Sequence, residues 1–341
     1  MASAAVLDQE KEQRDENKNS GIQDIQEMFS TLPKVRAWGG DSDYYQYQGF
    51  WYPQMFLEGV IWSQQSFRAR ETDIYLATFP KCGTTWLKAL MSTIQNRNNQ
   101  SQSNHSLLTN NPHECVPFLE LLAHKENPNA YVESLPSPRL LATHISYSSL
   151  PDSIVKTSGT RIVCIARNPK DVLVSLWEFT QKIRRKTSNG KLETLPLEEA
   201  FDMFCKGPSV AGPFWDHVLG YWEASKENPD KVLFLKYEDM KKDAEECVKR
   251  LAQFMRQPFS LEEEKLGVVQ EVMSFCSFEN LSNLEVNKSG AVNLTSTKAL
   301  DNDIFFRKGQ VGDSKNHLTS EMLEQLDKIT EQKLEAAGLK L

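Results

Sequence analysis

The sequence lacks any long uninterrupted apolar run. Its apolar stretches, such as Val232–Leu235, fall far short of the roughly 18 residues that a membrane-spanning helix needs. The first residues contain no basic region followed by an apolar one, which is the pattern of a secretory signal. The sequence therefore predicts neither secretion nor insertion into a membrane.

Cysteine is also scarce, and its spacing excludes the common metal and redox motifs. There is no CxxC pair, and the six histidines form no HExxH or zinc-finger spacing. We therefore expect reduced thiols, a cytoplasmic location and no structural metal. The six cysteines are Cys82, Cys115, Cys164, Cys205, Cys247 and Cys276.

The sequence also has no excess of positively charged residues. Lys and Arg number 39 against 46 Asp and Glu, which gives a formal net charge of −7. This balance argues against a general binder of nucleic acid or of anionic membranes, so any anion site must be built locally. With 40% hydrophobic and 25% charged residues, the chain is predicted to be a folded globular protein. A length of 341 residues fits two domains or one large α/β domain.

The order of apolar and helical patterns predicts an α/β fold in which helices flank a central parallel sheet. Residues 1–20 contain almost nothing apolar and are expected to form a mobile tail. Short apolar runs that read as buried strands then alternate with segments of helical periodicity. The predicted strands are Asp73–Phe79, Arg139–Thr143, Arg161–Ala166 and Lys231–Lys236, and the clearest predicted helices are Thr85–Asn96, Pro169–Lys186 and Ser320–Glu335.

Three further segments are predicted to lie outside this sheet. The segment Trp38–Tyr52 is rich in aromatic residues with Gly and Pro nearby, which favours irregular structure. It is expected to form a flap of the core, a pocket wall for a flat apolar ligand, or both. The polar segments Arg97–Pro112 and Thr187–Thr194 are predicted surface loops.

The first strand–helix junction, Phe79–Trp86, has the composition of a phosphate cradle. Its sequence is Phe-Pro-Lys-Cys-Gly-Thr-Thr-Trp, and it opens a predicted helix whose unpaired N–H groups favour an anion. Gly83 allows close backbone approach, and Lys81 adds a positive charge. The alternative is an ordinary helix start after a turn. The order GxxxxGK[ST] of a nucleotide-kinase loop is absent, because Lys81 precedes the glycine.

A second strand–helix junction, Arg167–Asp171, offers another cationic helix start. Asn168 is the predicted N-cap with Pro169 at the first helical position, and Asp171 is expected to close a capping box. Capping does not explain Arg167 at the strand end, which is expected either to bind a second anion or to pair with a carboxylate. A third cationic cluster, Arg307–Gly309, lies near the C-terminus.

Together these three motifs resemble those of the cytosolic sulfotransferases, and specifically the plant soluble type. Phe79–Trp86 resembles the family's 5′-phosphosulfate loop, Arg167–Ser175 its 3′-phosphate motif, and Arg307–Asp313 its C-terminal cofactor loop. The resemblance extends from about Phe29 to the C-terminus. It implies a P-loop-like three-layer fold in a single domain, residues 21–341. That domain would bind 3′-phosphoadenosine 5′-phosphosulfate (PAPS) without a metal.

The resemblance also assigns roles to individual residues. Lys81 and the backbone amides through Thr85 would hold the 5′-phosphosulfate. Trp86 and Phe278 would sandwich the adenine, and Tyr237 would bond to it. His144 would be the catalytic base, with Lys81 stabilising the leaving nucleotide. The full set of implied site residues is Lys81, Cys82, Gly83, Thr84, Thr85, Trp86, His144, Arg167, Ser175, Tyr237, Phe278, Arg307, Lys308 and Gly309.

The implied reaction transfers a sulfuryl group to a hydroxyl of a small acceptor and releases adenosine 3′,5′-bisphosphate (PAP). Flavonols, brassinosteroids, hydroxyjasmonates and desulfoglucosinolates are the acceptors of the plant family, and the sequence does not choose among them. The acceptor pocket is expected between Trp38–Tyr52 and the loop around Arg97–His124. No nucleic acid, membrane or obligate protein partner is expected.

Two residues depart from the family pattern, and two other functions stay open at this point. Ser314 stands where the family usually has Trp, and Ser146 stands where it usually has Pro, which puts loop rigidity and acceptor fit in question. The first alternative is a P-loop-type nucleotide phosphotransferase, and the second is a non-catalytic binder of PAPS.

Overall fold

The computed structural model describes residues 27–40, 42–98, 104–187 and 195–341. The predicted tail, residues 1–20, and residues 188–194 of a predicted loop lie outside these ranges. The strands are β1 (Lys34–Arg36), β2 (Asp43–Tyr47), β3 (Phe50–Pro53), β4 (Ile74–Thr78), β5 (Leu140–Thr143), β6 (Arg161–Ala166), β7 (Val232–Lys236), β8 (Ala291–Asn293) and β9 (Ala299–Asp301).

The helices of the described ranges surround these strands. They are α1 (residues 27–31), α2 (Gln54–Ser66), α3 (Thr84–Asn96), α4 (Pro112–Cys115), α5 (Pro128–Ser134), α6 (Asp152–Lys156), α7 (Pro169–Thr187), α8 (Leu197–Lys206), α9 (Phe214–Glu227), α10 (Tyr237–Lys242), α11 (Ala244–Phe254), α12 (Leu261–Lys265), α13 (Val268–Phe275), α14 (Phe278–Asn283), α15 (Glu285–Ser289) and α16 (Ser320–Lys333). Short 3₁₀ turns lie between them, among them Leu119–His124 and Asp313–Asn316. None of the described helices is long and apolar enough to cross a bilayer.

A four-stranded parallel sheet in the order β5-β4-β6-β7 confirms the predicted α/β fold. Every residue of β4 is buried, as expected for a parallel strand covered on both faces. Ala77 of β4 pairs with Thr143 of β5 and with Cys164 of β6, so these strands end at the same edge of the sheet. The residues that follow β4, β5 and β6 therefore meet at one place.

A buried ion pair joins β4 and β5 at the other end of the sheet, where these strands begin. Arg139, before β5, donates to both carboxylate oxygens of Asp73, before β4, at 2.8 and 2.5 Å. Both side chains are fully buried. The paired strand starts fix the relative position of the two strand ends that carry the site.

The prediction that the segment Trp38–Tyr52 is irregular is wrong, because most of its residues lie in β-strands. The strands β1–β2–β3 form an antiparallel sheet, in which Tyr45 lies opposite Tyr52. The connection from β2 to β3 is the two-residue turn Gln48–Gly49, and both residues have positive φ angles of 50° and 86°. Such a turn matches the twist of a hairpin. The glycine that suggested irregular structure therefore marks a tight turn between two aromatic strands.

Candidate functional site

A cavity of about 990 Å³ opens at the carboxyl ends of the parallel strands. This is the edge at which open α/β sheets usually bind ligands, and the volume is at the upper end for small-molecule sites. All predicted site residues except Cys82 line it. They are Lys81, Gly83, Thr84, Thr85, Trp86, His144, Arg167, Ser175, Tyr237, Phe278, Arg307, Lys308 and Gly309.

The predicted cradle between β4 and α3 presents backbone N–H groups to the cavity. Gly83 precedes the helix with φ of 110°, and a Cβ there would lie 3.0 Å from the Tyr237 ring. The first helical hydrogen bond runs from the Leu87 N–H to the Gly83 carbonyl. The preceding N–H groups thus have no acceptor within the helix and are available to an anion.

Lys81 is the cation of this cradle. Its φ of 69° turns the backbone sharply, and its Nζ lies 4.0 Å from the centroid of the Phe179 ring. Burial, and then the nearby charges of Arg307, Arg167 and Lys182, lower the pKa of Lys81 to about 7. Several positive groups therefore converge on one space, which is the arrangement that an anionic ligand stabilises.

A proton should accordingly enter the site together with a phosphate ligand. Since the free Lys81 has a pKa near 7, it is mostly neutral at pH 8, and a bound anion raises that pKa. We expect PAP binding at pH 8 to take up about one proton, and its affinity to fall as the pH rises above 7. Isothermal titration calorimetry in two buffers of different ionisation enthalpy measures this uptake.

The matched variants for this measurement are Lys81→Met and Lys170→Met. Lys170 pairs with Asp327 and does not line the cavity, so its variant should keep the proton uptake. The Lys81 variant should lose it. Equal uptake by both variants would contradict the assignment of the proton to Lys81.

Cys82 is the one predicted site residue that the structure turns away from the cavity. Its thiol is fully buried, and its N–H donates to the Phe79 carbonyl at 3.3 Å. The positive φ of Lys81 closes this tight turn and directs the Cys82 side chain into the core. Any contact of Cys82 with a ligand is therefore left to its backbone, as the resemblance implies, and not to its thiol.

The start of α7 confirms one capping prediction and contradicts another. The Asn168 side chain accepts the N–H of Lys170 at 3.1 Å, as an N-cap should. The expected capping box is absent, because the Asn168 N–H donates to Glu238 at 3.0 Å and not to Asp171. Asp171 instead accepts the N–H groups of Gly312 at 2.7 Å and Ser314 at 3.0 Å. It ties the C-terminal loop to this helix start.

Arg167 pairs with a carboxylate, which is one of the two roles that the sequence left open. Its Nη2 donates to Asp171 at 3.1 Å and to the Gln310 carbonyl at 2.7 Å, and its guanidinium lies 4.6 Å from the Tyr237 ring centroid. Its Nε is buried and has no hydrogen-bond partner in the described ranges of the chain. The Ser175 hydroxyl also lines the cavity. The carboxylate thus orients Arg167 and leaves donors for a ligand.

The C-terminal loop brings two more cations to the same wall. Arg307 and Lys308 both bind the Asp313 carboxylate, the latter at 2.6 Å. Burial by itself raises the pKa of Asp313, but these hydrogen bonds hold it well below its usual range. Gly309 has φ of 63°, and a Cβ there would lie 2.6 Å from Phe278. The loop therefore needs glycine at this position to pack beside that ring.

Removing the charge of Asp171 should weaken this arrangement. Asp171→Asn replaces the carboxylate that holds Gly312, Ser314 and Arg167, and hydrogen bonds to charged groups contribute roughly 1.5–3 kcal/mol. We expect PAP to bind about tenfold more weakly, with a smaller loss for adenosine 5′-monophosphate. Calorimetry checks both ligands. Asp152→Asn, which changes an exposed ion pair, is the control, and an equal loss there would contradict the specific role of Asp171.

Three aromatic residues border the space beside these cations. Trp86 and Tyr237 meet edge to face, with 5.8 Å between ring centroids. Phe278 packs against Phe306 and lines the same cavity. Lys241 lies 5.7 Å above Trp86. The surfaces suit a flat ring flanked by phosphate sites.

His144 follows β5 and faces the same cavity. Its Nδ1 lies 2.6 Å from the Thr78 carbonyl oxygen, which can only accept, so Nδ1 carries the proton. Its Nε2 has no partner among the described residues and keeps a lone pair for a ligand. Burial lowers the pKa of His144 to about 3, and nearby Lys88 contributes to this lowering. The imidazole is therefore neutral, as a base must be.

The backbone around His144 is held from several sides. Glu120 accepts the His144 N–H at 2.8 Å and the Thr143 hydroxyl at 2.9 Å, and His217 donates to the His144 carbonyl at 3.1 Å. Ser146 bonds to the Ser149 hydroxyl at 3.0 Å. Ser146, which departs from the pattern of the resembling family, is thus accommodated by its own hydrogen bond.

The wall beyond His144 is apolar and comes mainly from the predicted loop. Phe118 lies 4.6 Å from the His144 ring, and Phe56 lies 6.5 Å from it, between centroids. Leu121 and Leu122 line the same part of the cavity. Of the aromatic residues in Trp38–Tyr52, Tyr44 alone is on this wall, and the other rings pack in or against the core.

The sequence did not reveal several residues that shape the site. Phe179 could have been found from the sequence, because it lies four residues after Ser175 on α7. This spacing places both side chains on the same face of the helix. Glu120 and His113 lie in a loop whose path depends on tertiary packing, and no local pattern marks them. In the described part of the chain, no cluster of three or more His, Cys, Asp or Glu residues is arranged to hold a metal ion.

Comparisons with known proteins match most of this chain. The family model of the sulfotransferase domain matches residues 71–338. Cytosolic sulfotransferase 12 of Arabidopsis thaliana is 45% identical over 93% of this chain and 94% of its own. Flavonol 3-sulfotransferase of Flaveria bidentis is 48% identical over 87% of this chain and 93% of its own.

Solved structures extend the comparison to three dimensions. A sulphotransferase of Arabidopsis thaliana superposes with a TM-score of 0.71 at 40% identity, covering 92% of this chain and 94% of that one. A mouse sulfotransferase solved with PAP has a TM-score of 0.64 at 26% identity, covering 86% of this chain and 95% of that one.

Proposed function

This chain belongs to the sulfotransferase domain family and is a sulfotransferase, and from that premise we propose its reaction. It transfers the sulfuryl group of PAPS to a hydroxyl of a small acceptor and releases PAP. The observation that carries the proposal is the placement of the neutral His144 Nε2 in the same cavity as two cationic helix starts. The mouse relative solved with PAP supports the choice of nucleotide.

The residues of the cavity fit a nucleotide with charge at both ends. Lys81 and the N–H groups at the start of α3 would hold the 5′-phosphosulfate. Arg167, Ser175 and the loop Arg307–Gly309 would hold the 3′-phosphate. The partnerless buried Nε atoms of Arg167 and Arg307 support this fit, since a ligand oxygen would satisfy them. Trp86, Tyr237 and Phe278 would enclose the adenine.

His144 would remove the proton of the acceptor hydroxyl. Its protonated Nδ1 is fixed on the Thr78 carbonyl, so its Nε2 is the basic atom. In the ligand-free cavity, surrounding burial and cations hold its pKa low. A polyanionic nucleotide reverses part of this effect and strengthens the base at the moment it is needed.

Lys81 and the cradle amides would stabilise the leaving group. PAPS supplies an activated sulfuryl group whose departure leaves negative charge on the 5′-phosphate oxygen. The preorganised N–H donors at the start of α3 and the ammonium of Lys81 would stabilise that charge. Each well-placed donor of this kind contributes about 3 kcal/mol.

The acceptor would be a small and largely apolar alcohol or phenol. The wall around Phe118, Phe56 and Leu121 supports an aromatic or steroid-like skeleton. Two flavonol sulfotransferases among the relatives support a flavonol as the first candidate. Brassinosteroids, hydroxyjasmonates and desulfoglucosinolates are further candidates. The name of the Arabidopsis relative supports a cytosolic site of action.

We further propose that residues 21–341 form one sulfotransferase domain. A single cluster of buried apolar side chains runs from Phe29 to Leu339, which supports this boundary. The match of the family model to residues 71–338 is compatible with it.

The test is transfer of label from ³⁵S-labelled PAPS to a panel of acceptors. Flavonols, a brassinosteroid, a hydroxyjasmonate and a desulfoglucosinolate form the panel, each matched with an analogue that lacks the accepting hydroxyl. We expect labelled product from at least one acceptor, with equal release of PAP. Binding of PAP without transfer to any acceptor would favour a non-catalytic binder, and transfer of ³²P from ATP would favour a phosphotransferase.

A further inference from the structure

His113 lies in the cavity wall and has no role in the reaction described above. It is on the short helix α4, and it is buried, with only 8% of its surface exposed. Its Nε2 lies 3.0 Å from the Thr85 hydroxyl oxygen. Thr85 belongs to the first turn of α3, so this contact joins His113 to the cradle for the 5′-phosphosulfate.

Buried polar contacts hold this histidine firmly in place. The His113 N–H donates to the Asn111 side chain at 2.9 Å, and Asn111 also forms a capping box with Glu114. The Asn111 amide donates in turn to Asn287 at 2.9 Å, and both asparagines are buried. The imidazole is therefore mounted on a rigid support rather than on a free loop.

The surroundings of its two ring nitrogens determine where the proton lies. The Nδ1 of His113 is buried and has no hydrogen-bond partner among the residues that the structure describes. An orphaned N–H in that position would be costly, whereas Nε2 has the Thr85 oxygen within reach. The neutral tautomer with the proton on Nε2 is therefore favoured. Burial, followed by the charges of Lys88, His144 and Lys81, holds the pKa of His113 well below its usual range.

This tautomer decides what the Thr85 hydroxyl can do. If Nε2 donates to the Thr85 oxygen, the hydroxyl hydrogen is not used by the histidine and is free for the cavity. The opposite tautomer would accept that hydrogen and remove it from any ligand. His113 thus controls the direction of a donor at the helix start.

We propose that His113 is a positioning residue that directs the Thr85 hydroxyl hydrogen toward the sulfuryl donor. The inference rests on the proposed function, because it takes the cradle to hold the phosphosulfate. Negative charge grows there as the sulfuryl group leaves, and a preorganised donor stabilises that charge more than it stabilises the bound substrate. His113 acts through Thr85 and does not itself exchange a proton.

A packing role is the competing explanation. The His113 ring lies 4.1 Å from the Phe305 ring and 5.5 Å from the Phe118 ring, between centroids. A residue that only fills this space would be replaceable by another ring. It would also act independently of the Thr85 hydroxyl.

A double-mutant cycle separates the two explanations. His113→Asn places an amide near the position of Nδ1, too short to reach Thr85, and Thr85→Val removes the hydroxyl. We expect each to lower kcat roughly 10- to 100-fold, and the double variant to be scarcely worse than either single one. His113→Gln, whose amide reaches the position of Nε2, should restore most of the activity, whereas His113→Phe should not.

The controls keep the result interpretable. PAP affinity, measured for every variant, shows that the fold and the nucleotide site persist. His124→Asn removes a histidine that bonds to the Met55 carbonyl and does not line the cavity, and its kcat should match the wild type. Additive losses in the cycle, or a fully active His113→Phe, would overturn the inference while leaving the proposed function intact. A wild-type protein that transfers no sulfuryl group would overturn both.

Discussion

Replacing His144 by alanine is expected to remove sulfuryl transfer while PAP binding persists. In the proposed reaction the imidazole Nε2 is the general base, and such a base contributes about 10²- to 10⁴-fold to kcat. The substitution removes no group that faces the two cationic helix starts. Initial rates with labelled PAPS, together with PAP calorimetry, measure the two properties separately.

The control for this prediction is His124→Ala, which changes a histidine outside the cavity. It should retain both properties. If His144→Ala left every acceptor assay and PAP binding unchanged, the protein would bind the nucleotide without using this histidine. A parallel loss of PAP affinity would instead mean that the imidazole contributes to the nucleotide site.

The second large effect is expected at Arg167. Arg167→Ala removes the guanidinium that binds Asp171 and the Gln310 carbonyl at the wall of the cavity. Charged hydrogen bonds of this kind contribute roughly 1.5–3 kcal/mol each. We expect PAP to bind about 100-fold more weakly, and adenosine 5′-monophosphate to be much less affected.

Comparison of the two nucleotides identifies the group that Arg167 contacts. Equal weakening of both would mean that the arginine does not touch the 3′-phosphate. Arg167→Lys is a useful companion, since it keeps the charge but not the planar arrangement of donors. It should lie between the wild type and the alanine variant in PAP affinity.

The local parts of the site could be predicted from the sequence, because local rules decide them. Strand β4 is an unbroken apolar run, Gly83 lies at the turn that follows it, and Asn168 caps the next helix. The predicted bounds of the four strands of the parallel sheet differ from the observed bounds by at most one residue. Motifs at the carboxyl ends of parallel strands must converge, which is why the cavity contains nearly all the expected residues.

The remaining features depend on contacts between distant segments. Asp171 has the right position for a capping box, yet the N–H groups of Gly312 and Ser314 compete for its carboxylate. No local pattern shows that a loop about 140 residues away will arrive there. The same contact anchors Ser314, which stands where the resembling family usually has Trp, through its backbone N–H to the side chain of Asp171.

Burial protects the Cys82 thiol from chemical modification. Oxidants and alkylating agents attack the thiolate form of cysteine, and they need access to the sulfur. Burial raises the pKa of Cys82 far above its ordinary value, and no part of its side chain is accessible. Peroxide or iodoacetamide at neutral pH will therefore react first at the partly exposed thiols, such as Cys115 and Cys205, and spare the loop.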